Sequence, residues 1–230
     1  MKNIEIFCRQ FFELGGYKNF LKGLSNTATI AVFGLLIGFL LGCIIATIKL
    51  IPSKNPIARI GAAICDVYVA VFRGTPMVVQ LLLMHFAVFP ALNINIEAVT
   101  EATIIFGLNS AAYMAEILRS GINAVDVGQM EAGRSLGFGF TTTMIRIILP
   151  QAIKNILPTL GNEFIALIKE TSVVSFIAVV DITKSFQNIA ASTYEYFVPY
   201  IVLAIVYLVL VLFITWLIQI MERRLKKNER

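Results

Sequence analysis

The chain has 230 residues, of which 58% are hydrophobic and only 14% are charged, and its mean hydropathy is +0.82. An average soluble domain has about 45–50% apolar and about 25% charged residues, so this composition excludes an ordinary water-soluble globule. The net charge of +5 does not indicate nucleic acid binding, because five of the nineteen basic residues lie in 222–230, directly after an apolar run. That placement favours contact with membrane lipid.

The apolar segments predict the fold class. Residues 1–22 mix basic side chains with phenylalanine and lack the long apolar block of a secretory signal, which predicts an amphipathic segment on the membrane surface. Residues 23–48, 74–96 and 196–221 contain no charged side chain, and each is long enough to cross a bilayer. We therefore expect an all-α integral membrane bundle within 23–222, with about five transmembrane helices. The expected spans are 24–48, 57–91, 98–118, 147–168 and 196–221.

Two of these spans carry backbone signals. In the first span, Gly34, Gly38 and Gly42 recur every fourth residue, which favours the close approach of another helix. The second span is interrupted by Arg73-Gly74-Thr75-Pro76. Proline lacks the amide proton of a helical hydrogen bond, so the second span should be kinked there, or it is two shorter helices.

The basic residues predict the orientation in the membrane. With the N-terminus outside, twelve lysines and arginines fall on the cytoplasmic side and five on the other. This bias predicts an external N-terminus and a basic cytoplasmic tail at 223–230. It also places 93–95 and Lys184 outside and makes 119–146 the longest cytoplasmic loop, a length that usually has a partner or a function.

This loop contains the most specific pattern of the chain. It reads Glu131-Ala132-Gly133-Arg134-Ser135-Leu136-Gly137, followed after nine residues by Ile147 and then by Leu149-Pro150. The pattern resembles the loop signature of the membrane subunits of bacterial ATP-binding-cassette importers: Glu-Ala-Ala, three residues, Gly, nine residues, Ile, one residue, Leu-Pro. Every spacing agrees, and only the third position departs, with glycine for alanine. The resemblance implies that an ATPase docks on Glu131, Ala132, Gly133, Arg134, Ser135, Leu136 and Gly137.

The residues of the loop support a short isolated helix. Asp126 can cap its start, Gly137 can supply a left-handed stop, and Thr141–Thr143 can begin the next helix. Such a helix between two spans forms a compact knob, with a shape suited to a socket on a partner protein.

Further blocks narrow the resemblance to the polar amino acid permeases of the histidine, glutamine and arginine type. The blocks are Phe72–Pro76, Ala111–Arg119, Gly128–Ala132, Leu149–Ala152 and Gly161–Ser172. The resemblance implies two cytosolic ATPases, an external solute-binding protein, and a second membrane subunit that is either a copy of this chain or a paralogue.

The fourth span contains the first candidates for contact with an amino-acid substrate. Asn162 and Glu163 lie inside it, where an ionisable group demands water, a partner or a substrate. A carboxylate and an amide oxygen are suitable acceptors for the ammonium group of an amino acid. The alternative is that Glu163 pairs with Lys169, with Arg73 or with a neighbouring subunit.

The other substrate candidates are Arg73, Gly74, Thr75, Thr171 and Ser172. The break at Arg73 can present backbone groups and a guanidinium to a substrate carboxylate. A structural tie of Arg73 to Asp66, Glu163 or Glu170 is the interpretation that we favour. Thr171 and Ser172 can instead cap the segment that follows, and 171–178 is too short to cross the membrane, which suggests a re-entrant or surface piece.

Several polar residues are expected to be structural. Glu116 and Arg119 stand three apart on a helix, a spacing that allows an ion pair. Asp66 is expected to face a cavity or to be paired, and His85 to be a packed residue rather than a ligand.

Together these features predict the permease subunit of an ATP-driven importer of a polar L-amino acid in the bacterial cytoplasmic membrane, with the ATPase docking on Glu131–Pro150. The chain contains no Gly-x-x-x-x-Gly-Lys-[Ser/Thr] segment, so ATP hydrolysis should come from the partner and the chain is not expected to be an enzyme. A single histidine and unpatterned cysteines favour neither a metal site nor a cofactor, and they disfavour a membrane enzyme. The alternatives are a permease for cystine or another amino-acid derivative, and a channel or secondary carrier.

Overall fold

The computed structural model describes residues 2–50 and 56–227, and this part of the chain is helical and contains no strand. The chain begins with α1 (Lys2–Cys8) and a π-helical turn (Arg9–Glu13). The helices that follow are α2 (Gly16–Leu50), α3 (Pro56–Gly74), α4 (Met77–Leu83), α5 (Phe89–Ala91), α6 (Ala98–Asn123), α7 (Val127–Ser135), α8 (Phe140–Thr143), α9 (Leu149–Glu170), α10 (Ile182–Thr193) and α11 (Phe197–Lys227). The short connecting elements are the π-helical turns Met84–Val88 and Met144–Ile148 and the 3-10 helix Thr171–Ile177.

The centre of the bundle is the pair of helices α2 and α6. The glycines of α2 permit this packing: a Cβ atom at Gly34 would lie 3.2 Å from the Cβ of Phe106, and one at Gly38 would lie 2.6 Å from the Cβ of Ser110. Gly42 faces Met114 in the same way. The predicted role of the glycines in helix packing is therefore confirmed.

The expected break in the second span separates two helices. Pro76 has an extended backbone (φ −63°, ψ 140°), and α3 and the α4–α5 segment differ in direction by 107°. Gln80 bridges the break, since its side-chain amide donates to the carbonyl of Phe72 at 2.8 Å and to that of Thr75 at 3.0 Å. Of the two alternatives, a kinked span or two shorter helices, the structure has the second.

Among the described residues, two helices are long and apolar enough to cross a membrane: Gly16–Leu50 and the Phe197–Arg224 part of α11. The bent α3 and α4–α5 pair passes the same test if it is counted as one span. The predicted spans 98–118 and 147–168 correspond to α6 and α9, which do not meet the test. Both carry polar residues, such as Asn109 in α6 and Asn162 in α9, so five spans remain a prediction. The all-α membrane bundle itself is confirmed.

The predicted loop at 119–146 is mostly helical. Within it, α6 continues to Asn123, α7 follows, and α8 begins at Phe140 and runs through a π-helical turn into α9. Pro150, at the second position of α9, lacks the N–H of a continuous helix, and the backbone directly before α9 is the π-helical turn Met144–Ile148 rather than a regular α-helix. The expectation that residues 141–143 begin the next helix is correct to within one residue.

The N-terminal segment is packed against the bundle. Phe7 is buried, and its ring lies 5.6 Å from that of Phe11 and 6.3 Å from that of Phe186 in α10. Helix α2 begins at Gly16, inside the range predicted as a surface segment. These aromatic contacts join residues 3–13 to α10, so the segment contacts the bundle and does not lie only on the membrane surface.

The segment after α9 is part of the core, so of the two expectations for 171–178 the surface piece is wrong, and the re-entrant piece stays a prediction. The 3-10 helix Thr171–Ile177 buries Val174 and Ile177 against Ile30 and Leu81. The four apolar residues of this 3-10 helix are too few to cross a membrane, and the helix packs against both α2 and α4. The 3-10 helix ends at Ala178, which has a left-handed backbone (φ 60°).

Two predicted features fall partly outside the described residues. Of the basic tail at 223–230, α11 includes the residues up to Lys227, and 228–230 lie outside the described part. Lys54, counted above on the cytoplasmic side, lies in 51–55, which is also outside it.

Candidate functional site

Helix α7 is a short helix with a defined cap at each end. At its start, the carboxylate of Asp126 accepts a hydrogen bond from the backbone N–H of Gly128 at 2.7 Å. At its end, the N–H of Gly137 donates to the carbonyl of Arg134 and the N–H of Phe138 donates to that of Gly133, while Gly137 has φ +85°. This pair of bonds is the Schellman arrangement, which requires a left-handed residue at the position of Gly137. Both predicted caps are confirmed.

We call residues 126–138 the knob. Apolar side chains attach it to the bundle. Val125, Ile148 and Ala152 are buried together, and Met130 of α7 packs against them. Since these residues belong to α9 and to the segments on either side of α7, the knob is fixed to the bundle and does not hang from a free loop.

The outer face of the knob is exposed. Glu131, Ala132, Arg134, Ser135, Leu136 and Gly137 are all exposed. Val127 and Leu136 are 72% and 75% exposed, which leaves two large apolar side chains uncovered beside Glu131 and Arg134. A short helix that presents both charge and apolar surface suits a protein partner.

Gly133 is the one residue of the predicted docking set that is buried, and the structure explains why it is not alanine. A Cβ atom there would lie 2.5 Å from Cγ2 and 2.8 Å from Oγ1 of Thr143. The Thr143 side chain therefore occupies the space that the methyl group of an alanine would need.

Three helices, α2, α3 and α6, bring a cluster of charges to Glu116 of α6. The Glu116 carboxylate lies 2.9 Å from Nζ of Lys49, 2.7 Å from Nη2 of Arg119 and 3.9 Å from Nη1 of Arg73. Lys49 also pairs with Asp66 of α3 at 2.9 Å. The predicted Glu116–Arg119 pair is confirmed, and Asp66 is paired as expected. The three partners proposed for Arg73 (Asp66, Glu163 and Glu170) are wrong as direct ion-pair partners, because Arg73 reaches Glu116 instead.

Arg73 lines a cavity of about 400 Å³ between α3, α6 and α9. Its guanidinium lies over the ring of Tyr113, 5.5 Å from the centroid, and remains nearly half exposed. Arg119 lines the same cavity together with two polar side chains of α9, Asn155 and Thr159. Among its described residues, the cavity thus contains two guanidinium groups but only one carboxylate, that of Glu116. With two neutral polar side chains beside them, it can hold an anionic group of a ligand, such as a carboxylate.

A polar stripe on α9 connects this cavity to the other substrate candidates. Asn155, Thr159, Asn162 and Glu163 follow one another at spacings of four, three and one, so they share one face of the helix. From Asn155 to Glu163 the helix rises about 12 Å. Asn162 is exposed, and Glu163 is half-buried with its carboxylate 3.5 Å from Oγ of Ser110.

The remaining substrate candidates lie in different surroundings. Gly74 and Thr75 are exposed at the break, and the Thr75 hydroxyl donates to the carbonyl of Val71 at 2.8 Å. Thr171 is fully buried, and its hydroxyl donates to the carbonyl of Ile168 at 2.7 Å. Ser172 lines a separate cavity beside Tyr207. The structure thus brings Arg73 close to the α9 stripe but does not gather all seven candidates in one cavity.

Sequence reasoning missed several residues of the Arg73 cavity. Asn155 and Thr159 have a detectable signal, since they extend the face of Asn162 and Glu163 by two helical turns. Tyr113 has none, because its contact with Arg73 depends on how α3 and α6 pack. The same holds for Lys49, which lies outside the cavity lining but pairs with Glu116.

Comparison with known proteins gives matches along most of the chain. The family model described as "Binding-protein-dependent transport system inner membrane component" matches residues 34–227. The arginine transport system permease protein ArtQ of Bacillus subtilis (strain 168) is 40% identical over 209 residues, which are 91% of this chain and 93% of ArtQ. The putative glutamine transport system permease protein GlnP of Rickettsia bellii is 40% identical over 204 residues, which are 89% of this chain and 91% of GlnP.

A solved structure agrees with these matches. A crystal structure of an amino acid ABC transporter with histidines has a TM-score of 0.84 and 42% sequence identity, and the match covers 93% of this chain and 98% of that one.

Proposed function

The chain belongs to the family of binding-protein-dependent transport system inner membrane components, and from this premise we propose how its knob and its polar stripe serve transport. It is the membrane permease subunit of an amino-acid importer of the ATP-binding-cassette type. The family match and the similar relatives favour this function over a channel or secondary carrier. It is not itself an enzyme, since ATP hydrolysis belongs to a separate ATPase partner, and the family also implies an external substrate-binding protein.

The knob is the surface on which the ATPase docks. The observation that supports this proposal is a helix capped at both ends and anchored by Val125 and Ile148, with Glu131 and Leu136 uncovered on its outer face. A rigid knob can transmit a movement of the ATPase to α6 and α9, because α7 follows α6 in the chain and leads through α8 and a π-helical turn into α9.

Charge reversal at Glu131 tests the docking surface. Glu131→Lys should reduce the ATPase that co-purifies with the permease, while membrane insertion stays normal. Glu97→Lys is the matched control, because Glu97 is an exposed acid that lies at the far end of α6. Equal recovery of the ATPase with both variants would contradict the proposal.

The transported solute is a polar L-amino acid of the glutamine, arginine or histidine type. The relatives named for arginine and glutamine transport and the related structure with histidines support this class. Uptake of radiolabelled glutamine, arginine, histidine and cystine by the reconstituted complex tests it. A preference for cystine would favour the alternative, a permease for cystine or another amino-acid derivative.

The solute moves along the polar stripe of α9 and past the break between α3 and α4. In this proposal Asn162 and Glu163 accept hydrogen bonds from the ammonium group, and Arg73, Gly74 and Thr75 receive the carboxylate. This path is supported by Arg73, which is nearly half exposed and lines the same cavity as Asn155 of the stripe. Ser172 can meet the solute in its separate cavity, whereas contact with Thr171 would require its buried hydroxyl to leave Ile168.

A second membrane subunit, either a copy of this chain or a paralogue, completes the path. The exposed polar groups at Arg73–Thr75 and at Asn162 support this pairing, since polar groups at membrane depth need a protein or water partner. Purification of the complex with two differently tagged copies tests whether the pair is two identical chains.

The protein is located in the inner membrane, and we propose that its N-terminus is outside and its C-terminus and knob are cytoplasmic. Single cysteines at positions 95 and 135 test this orientation on a background without Cys8, Cys43 and Cys65. In sealed right-side-out vesicles, an impermeant maleimide should label the cysteine at 95 alone. Labelling at 135 alone would show the opposite orientation.

A further inference from the structure

A separate cavity lies at the end of the bundle opposite the knob. It has a volume of about 320 Å³ and lies where residues 92–97 connect α5 to α6. Glu101, in the first turn of α6, lines it, while the knob follows the last turn of this 26-residue helix. Along α6, Glu101 and the last residue, Asn123, are 22 residues apart, a rise of about 33 Å.

Glu101 is the unusual group in this cavity. Its side chain is only 7% exposed, and Oε2 lies 2.8 Å from Nδ1 of His85. Oε1 is buried, and among the described residues no protein group is within hydrogen-bond distance of it. Buried carboxylate oxygens are nearly always hydrogen-bonded, so Oε1 is an acceptor that a donor from outside the chain can satisfy.

The neighbouring polar groups are also able to accept hydrogen bonds. A neutral His85 that donates from Nδ1 to Glu101 keeps a lone pair on Nε2. The side-chain amide of Asn95, which lines the cavity, offers a further oxygen. These two acceptors beside the carboxylate of Glu101 match a group that carries several N–H donors.

The walls of the cavity are apolar. Phe86, Phe89 and Ile94 line it, and the ring of Phe86 packs edge-on against that of His85, with 4.6 Å between centroids. Aromatic rings attract cations, and apolar walls suit a short hydrocarbon stem. No lysine or arginine is among the residues that line this cavity in the described part of the chain, and the basic group beside Glu101 is His85. When His85 is neutral, no positive charge of the described cavity lining balances the charge of Glu101.

We propose that the His85–Glu101 cavity is a binding site for one organic cation, a guanidinium or primary ammonium group on a short apolar stem. The site holds only two residues of the metal-binding types, and no group of three or more histidine, cysteine or acidic residues occurs among the described residues, which disfavours a metal ion. The proposal goes beyond the transport function and does not rest on it, since none of the residues of this cavity belongs to the knob or to the stripe of α9.

Binding of n-butylguanidinium to the purified complex, without its external binding protein, tests the site. Isothermal titration should give saturable binding at one site per permease chain. The neutral isostere n-butylurea should not bind, because it lacks the positive charge. Absence of saturable n-butylguanidinium binding, or equal binding of both compounds, would overturn the proposal without any variant.

Two matched variants locate the binding. Glu101→Gln should weaken n-butylguanidinium binding by about 10- to 150-fold, the loss expected when a charged hydrogen-bond acceptor is neutralised. Glu97→Gln, at the start of α6 and four residues before Glu101 but exposed, should change it by less than about twofold. An equal loss in both variants would show that surface charge alone attracts the cation.

A third variant covers the case in which Glu101→Gln does not assemble. Phe86→Leu keeps the carboxylate and an apolar wall but removes the aromatic face, so binding should weaken by about two- to fivefold. Unchanged binding with Phe86→Leu would place the cation elsewhere. Amino-acid uptake measured in parallel separates this site from the transport path, because normal uptake with lost n-butylguanidinium binding leaves the proposed function intact.

Discussion

The knob at residues 126–138 and the Arg73 cavity both adjoin the end of α6, but they are built in different ways. Every cap hydrogen bond of the knob joins residues no more than five positions apart. The cavity depends on contacts such as that between Lys49 and Glu116, which are 67 positions apart. The knob is therefore a local structure on a fixed base, and the cavity exists only when the helices have packed.

This difference predicts unequal effects of mutation. Changes in the charge cluster beside the cavity should affect the stability or the transport of the whole protein. Changes in the caps of the knob should affect docking and leave the bundle folded.

The largest effect is expected from Glu116→Gln. This change removes the carboxylate that Lys49, Arg73 and Arg119 share, and each charged hydrogen bond that the carboxylate accepts contributes about 1.5–3 kcal/mol. Asp66→Asn is the matched control, because Asp66 lies at the same 2.9 Å from Lys49 but its side chain is 63% exposed. An exposed pair contributes about 0–1 kcal/mol. Thermal unfolding of the purified complex should therefore separate the two variants, and equal midpoints would show that the cluster is not structural.

The second effect concerns Glu163→Gln, which retains the size of the side chain and removes its charge. If Glu163 accepts the ammonium group of the solute, affinity should fall by about 10- to 150-fold, equivalent to the roughly 1.5–3 kcal/mol of a charged hydrogen bond. Uptake of labelled amino acid should fall accordingly, and the ATPase rate stimulated by the binding protein should fall much less.

A different result would assign Glu163 another role. Poor assembly of Glu163→Gln, with recovery after a compensating change at Lys169, would make Glu163 a structural residue. The substrate proposal for Asn162 would then lose its main support.

A smaller effect is expected from Gly137→Ala in the knob. The left-handed conformation of Gly137 costs a residue with a side chain about 1–2 kcal/mol, so the end of α7 should fray and the ATPase should dissociate more readily. Gly139→Ala is the control, because Gly139 has φ −69° and a Cβ atom there would meet no atom within 4 Å. ATPase recovery should fall only for Gly137→Ala, and Gly137→Asn should lie between the two.

The smallest effect is expected from Asp126→Ala, which removes the cap at the start of α7. Loss of such a cap costs about 1 kcal/mol, and Asp126→Ser should restore most of it. Hydrogen exchange of the backbone amides at Gly128 and Gln129 should accelerate in the alanine variant. Unchanged exchange would mean that the anchoring side chains, and not the cap, hold the start of the knob.

The glycine at position 133 is not explained by contacts within the knob. From the sequence, glycine in place of alanine only weakens the helix, because glycine costs up to about 1 kcal/mol of helix propensity. The structure adds that Thr143 fills the space beside Gly133. Since Thr143 is ten positions away, no local pattern could have predicted this contact.

The sequence alone determined the features that depend on composition and short spacing. It predicted the all-α membrane bundle, the caps at Asp126 and Gly137, the packing glycines of α2 and the Glu116–Arg119 pair, because each rests on residues a few positions apart or on apolar length. It also contained the polar face of α9, although the sequence reasoning used only Asn162 and Glu163.

Tertiary packing alone decided which distant residues meet. From the sequence, Arg73 had several possible acidic partners, and only the packing of α3 against α6 brings it to Glu116. The burial of 171–177 and the cavity at Glu101 have the same origin. A charged side chain pairs with whichever opposite charge the packed backbone brings within a few ångströms, and that distance is a property of the assembled helices and not of the spacing along the chain.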